Sequence, residues 1–149
     1  MSVYLEPAGD RLRNPPTFED FVMKQDVVAI NLADDERTLL LAGLLEFGGP
    51  AMGSRVVAPI VGAANLDQFF ELTDRLRASI AAGEPLSGLD WTRALVLTEI
   101  CWASDVLGAA SDFGMNLTDD GAVRALRSLQ RKIVTGERVT LLLESARTA

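Results

Sequence analysis

The chain contains no histidine, so the side chain that most often moves protons near neutral pH is missing. Ser-His-Asp and Cys-His nucleophilic machinery is excluded with it, and so are most zinc sites. The single cysteine, Cys101, lies in an apolar run with no basic neighbour in sequence. That setting fits a small buried hydrophobe better than a nucleophile. Carboxylate chemistry remains. Glu99 stands within the most apolar stretch of the chain, Ala94 to Leu107, where an unpaired carboxylate is costly or shifts its pKa. With Asp105 or Asp112 nearby it would form a tuned acid or base, or a metal ligand. On one helix, however, Glu99 and Asp105 point about 120° apart and converge only if other elements bring them together. The competing reading is a structural ion pair of Glu99 with Arg93 or with an arginine of the last amphipathic helix, since buried acids are usually paired.

Two further features bear on binding. Ser104-Asp105 and Ser111-Asp112 repeat a hydroxyl–carboxylate pair seven residues apart. They read either as caps at a helix end or, beside Trp102 and Phe113, as a pocket for a small polar ligand. Glu99, Trp102, Asp105, Asp112 and Phe113 are thus the ligand-binding candidates. Arg124, Arg127 and Arg131 follow one another at helical spacing, with Lys132 next to them. They read as a solvated or internally paired helix face, or as a contact surface for an acidic protein or a phosphate.

Other motifs fall away on inspection. There is no G-x-G-x-x-G and no phosphate-binding G-x-x-x-x-G-K-[ST]. Asp112-Phe113-Gly114 copies a kinase tripeptide without the lysine strand or catalytic loop that gives it meaning. Asn116 to Arg127 imitates a calcium loop, but Arg127 occupies the position of the bidentate glutamate and would repel the ion. No catalytic residue, metal ligand or cofactor is assigned.

These residues must be positioned by helices. With 149 residues the chain fits a single domain able to bury a core without staples. A hydrophobic fraction of 48% lies on the apolar side for a soluble domain, which raises the prospect of a covering partner or a second copy. Met1 to Pro16 reads as an irregular arm, and 17–149 as one helical domain. Thr17 caps a short helix carrying Phe18, Phe21 and Val22. Asp26 to Asn31 is a strand or connector. Asp34-Asp35-Glu36 opens a helix at the end where acids meet the positive dipole, and Leu39 to Phe47 surround that helix. Pro59 would break a helix running from Ser54, so a turn beginning near Pro59 is preferred. Asn65 caps a helix to about Ala82 whose apolar face holds Leu66, Phe69, Phe70, Thr73, Leu76 and Ile80, with Glu71 and Arg75 spaced to pair on its surface.

The central helix is expected from about Asp90 to Leu107. Thr118 caps the next helix, whose apolar side is Val123, Leu126, Leu129 and Ile133. Residues 138–144 form a final helix, or else a strand pairing with Val27 to Ile30. The fold expected is all-α: an orthogonal bundle of about five or six helices around the buried central one, with room for a minor two-strand pairing.

Charge and composition narrow function further. Residues 1–120 carry 8 basic and 19 acidic groups, a net of −11, and residues 121–149 carry 6 and 2, a net of +4. The acidic balance works against sequence-independent nucleic-acid binding. No apolar run approaches the roughly 20 residues of a membrane span. No secretory leader is visible and no disulfide can form within the chain, which favours the cytoplasm. The primary expectation is a non-catalytic interaction or regulatory protein, of inhibitor, immunity-type or adaptor kind, acting on a protein partner or on itself. The alternatives are a small-molecule binder or carboxylate enzyme at Glu99, Asp105 and Asp112, and a nucleic-acid module using the basic helix, with Leu39 to Ile80 drawn as helix–turn–helix.

Overall fold

The computed structural model describes residues 27–49, 51–109 and 117–148. The arm at 1–16, the short helix expected from Thr17, and Ser111, Asp112 and Phe113 lie outside them. Among the described residues six α-helices pack together: α1 (Asp34–Leu45), α2 (Ser54–Val57), α3 (Leu66–Ala81), α4 (Gly88–Ala103), α5 (Asp119–Ile133) and α6 (Gly136–Arg147). The one sheet among them is an antiparallel pair of two-residue strands, β1 (Val27–Val28) and β2 (Leu86–Ser87). The all-α bundle expected from periodicity is therefore observed. None of the helices described is long and apolar enough to cross a membrane.

The helix starts follow local chemistry. Asn65, Ser87, Thr118 and Thr135 each accept the backbone N–H three residues on through their side chains, satisfying donors that a helix start leaves open. At α1 the cap is Ala33, which has no side-chain acceptor, and Glu36 reaches back to take the Ala33 N–H. Ser54 does open a helical turn, but it lasts only to Val57 and tightens into a 3-10 turn at Ala58–Val61, with Pro59 near its start. The ring at Pro59 prevents α geometry from continuing, so the expected break is real and lies one turn into a helix.

Helix α4 is buried along most of its length: Leu89, Trp91, Ala94, Leu95, Leu97, Thr98 and Cys101 are all inaccessible or nearly so. It meets Leu39, Leu40 and Leu44 of α1, and Leu129 and Ile133 of α5, in one core. Each fully buried side chain of this size contributes about 1.5–3 kcal/mol. The central helix ends earlier than expected. Ser104 turns extended, its hydroxyl accepts from the N–H groups of Val106 and Leu107, and the Ala109 N–H returns to the Cys101 carbonyl at 2.8 Å. The doubling back is tight: a Cβ at Gly108 would stand 2.3 Å from the Ile100 carbonyl oxygen. Val106, expected on the buried helix, is consequently exposed.

Two other expectations are corrected, and one open alternative is resolved. Val123 is exposed, and Ala122 and Ala125 join Leu126, Leu129 and Ile133 on the inner face of α5. Arg75 pairs with Asp90 rather than with Glu71, because α4 brings a more buried carboxylate within reach. The partner of Val27–Val28 is Leu86–Ser87, just before α4, while the C-terminal segment is helical as preferred. Trp91 holds β1 in place by donating from Nε1 to the Val28 carbonyl at 2.7 Å.

Candidate functional site

The sequence singled out an acid on α4 and a basic row on α5, and the fold packs these two helices together. Glu99 is half-buried, and its Oε2 accepts from Gln130 Nε2 of α5 at 2.7 Å. Gln130 Oε1 in turn accepts from Arg127 Nη1 at 2.9 Å. The expected ion pair is thus replaced by a relay in which a neutral amide joins carboxylate to guanidinium. Gln130 was not anticipated, although its signal was available: it is the polar residue four positions after Leu126 and three before Ile133, at the margin of the inner face.

The other expected partner of Glu99, Arg93, is occupied elsewhere. Its Nε donates to the Val61 carbonyl, one terminal nitrogen bonds Asp90, and the other bonds the Ser145 hydroxyl at 2.8 Å. Asp105 is exposed in the turn after α4, and Trp102 is half-buried near the helix end. Among the described residues no group of three Asp, Glu, Cys or His side chains is placed to hold a metal ion. Cys101 is fully buried, and burial, reinforced by the charge of Glu46, pushes its thiol up to about 12. It stays protonated and packed.

The four basic candidates separate into distinct roles. Lys132 donates to Glu36 Oε1 at 2.7 Å and to the Asn31 carbonyl at 2.9 Å, tying the end of α5 to the start of α1. Glu36 is only 4% exposed, and its Oε2 is buried with no hydrogen-bond partner. Replacing Lys132 by methionine should therefore cost about 1–2 kcal/mol in urea unfolding, since it leaves a buried carboxylate without its cation. A cost within about 0.5 kcal/mol, as for ordinary surface substitutions, would mean that the pair does not hold the helices. Arg138, another residue of the basic end, donates to the Ile133 carbonyl at 2.7 Å and closes the end of α5.

Arg124 and Arg131 behave differently. Both are exposed, and neither makes a hydrogen bond or ion pair with any described residue. They share with Arg127 one face of α5, seven residues being nearly two turns. Val123, 41% exposed on α5, and Val134, 47% exposed just beyond it, are also presented to solvent.

No family model, curated protein or solved structure matches this chain.

Proposed function

We propose that the chain is a non-catalytic binding protein that docks an acidic protein partner on the exposed face of α5. The observation that carries this reading is the idleness of Arg124 and Arg131. The body of the chain has acidic groups in excess, yet Lys132 and Arg138 are satisfied internally while these two arginines take no partner among the described residues. Arginine on a rigid helix is a favoured interface anchor because its planar fork matches carboxylates and loses little freedom on binding. Val123 and Val134 add apolar contact area. The net charge of −7 supports a partner with a local acidic patch rather than a long polyanion, which would be repelled by the remaining surface.

Charge reversal at both positions, Arg124→Glu with Arg131→Glu, tests the reading. Neither side chain holds the fold, so stability should stay within about 0.5 kcal/mol. Wild-type protein immobilised in an extract of its own source should retain an acidic protein that elutes as salt approaches about 1 M, where screening acts over about 3 Å. The reversed variant should lose that protein. Equal retention by both proteins, or recovery of nucleic acid in place of protein, would overturn the proposal.

A further inference from the structure

A cleft of about 450 Å³ opens between the end of α1, the Glu46–Gly48 turn and α3. This volume falls in the range of small-molecule sites. Leu44, Leu45 and Phe70 supply its apolar wall, and Glu46, Asp74 and Arg77 its charges. Asp74 and Arg77 face each other at 3.6 Å on α3 and offset one another. The unbalanced charge is Glu46. The residue is only 8% exposed; its backbone carbonyl accepts from the Gly49 and Ala51 N–H groups, but its carboxylate takes no hydrogen bond or ion pair from any described residue. Its carboxylate lies beneath the bare Gly48-Gly49 turn, since a Cβ at Gly49 would stand 3.9 Å from Oε2. Both glycines line the same cleft.

A carboxylate on a residue nine-tenths buried, with no partner among the described residues, is costly, and this one borders the cleft as well as the buried Cys101. We infer that this cleft binds a small organic cation, with an ammonium group against Glu46 and an apolar body along Leu44, Leu45 and Phe70. The wall is preorganised. Phe47, Phe69 and Phe70 stack edge to face in succession, with centroids 5.5 Å apart at each step. Such pairs fix ring orientation, and an aromatic ring beside a cation adds attraction of its own. The Thr73 hydroxyl gives its proton to the Phe70 carbonyl at 3.1 Å, so toward a ligand it acts as an acceptor, which also suits an ammonium donor. The site uses no residue of α5 and is independent of the proposed docking face.

The test is titration of the full chain with phenethylammonium and hexylammonium, followed by calorimetry and by amide shifts of Gly48, Gly49 and Thr73. The expected result is saturable binding with shifts confined to those residues, and at least tenfold weaker binding of 2-phenylethanol and phenylacetate, because a charge-assisted contact to a buried acid is lost or reversed. Glu46→Gln keeps the shape and should weaken the ammonium at least tenfold. Arg77→Ala, on the cleft's edge, frees Asp74 and should tighten the ammonium; an anion site would lose affinity instead. Absence of saturable binding by either ammonium up to its solubility limit, or equal affinity for 2-phenylethanol, would overturn the inference. Both outcomes are read on the wild-type protein, whatever the fate of Glu46→Gln.

Discussion

Replacing Asp90 by alanine is expected to cost the fold about 3–5 kcal/mol, the usual loss when one member of a buried ion pair is removed. Asp90 sits in the first turn of α4, where its own N–H is taken by Ser87 and its charge meets the positive end of the helix. Arg75 of α3 grips it with two hydrogen bonds, at 2.7 and 3.2 Å, and Arg93 adds a third at 3.1 Å. Through Arg93 the same carboxylate is linked to the Val61 carbonyl and to Ser145 of α6. Removal of Asp90 takes this carboxylate from Arg93, whose side chain is only 15% exposed, whereas the Arg75 side chain is 52% exposed and can return to water. Arg75→Ala should accordingly cost about 1 kcal/mol or less. Urea unfolding at neutral pH measures both; a loss below about 1 kcal/mol for Asp90→Ala would show that the four elements are held together by apolar packing alone.

The same carboxylate makes a prediction about acid. Burial alone would push its pKa up, but the hydrogen bonds and charges of Arg75 and Arg93 prevail and hold it below the ordinary aspartate value. A folded-state pKa below the unfolded one adds stability that is complete above the unfolded value, about 3.9, and disappears as pH falls through the lower folded value. The stability gap between wild type and Asp90→Asn should therefore be constant from about pH 7 to 5 and narrow below about pH 4. A gap unchanged down to about pH 2 would mean that Asp90 titrates alike in both states.

Gly43→Ala is expected to destabilise the bundle by about 2 kcal/mol and to lower Tm by roughly 6 °C. This runs against local propensity, because alanine is favoured over glycine inside a helix by about 1 kcal/mol. The reason is the contact between α1 and α4. A Cβ at Gly43 would lie 2.6 Å from Thr98 Oγ1, 2.8 Å from Thr98 Cα and 2.9 Å from Thr98 Cβ. Two of these atoms belong to a fully buried side chain, already fixed by its bond to the Ala94 carbonyl at 2.8 Å, and the third is backbone. Neither helix can yield without parting from the other. Adding Thr98→Ala removes the hydroxyl but leaves Cα and Cβ, so rescue should be partial. A thermal scan showing Gly43→Ala as stable as wild type would mean that the helices slide apart freely.

Glu99 shows where sequence reading stops. It was singled out because its neighbours along the chain are apolar, yet it is only half-buried and bonds to Gln130. The buried acids among the described residues are Glu36, Glu46 and Asp90, all close to helix ends; for Glu36 and Asp90, in first turns, caps and dipoles are sufficient local explanations, whereas Glu46 lies at the C-terminal end of α1. Glu36 could have been suspected, since it precedes Leu39 by three residues and Leu40 by four and so shares their face. Asp90 precedes Ala94 by four residues and Leu97 by seven and so lies over their face too, but how deeply it is buried depends on α3, α6 and the Pro59 turn arriving from elsewhere.

By itself, the sequence determined the repertoire: no histidine, one cysteine inert in its apolar setting, helices begun by Asn65 and Thr118, and inner faces spaced by the helical repeat. These follow from residue type and from contacts within a turn or two of chain. Only the tertiary structure decided which charges are spent. Arg124, Arg131 and Lys132 are close neighbours in sequence, but Lys132 reaches Glu36 across the bundle and the two arginines reach no described residue. Likewise Glu46, one acid among many in the chain, lines a cleft with its carboxylate unpaired among the described residues. Periodicity assigns each residue to a face. Which faces meet, and which are left over to meet another molecule, depends on contacts between residues far apart in the chain.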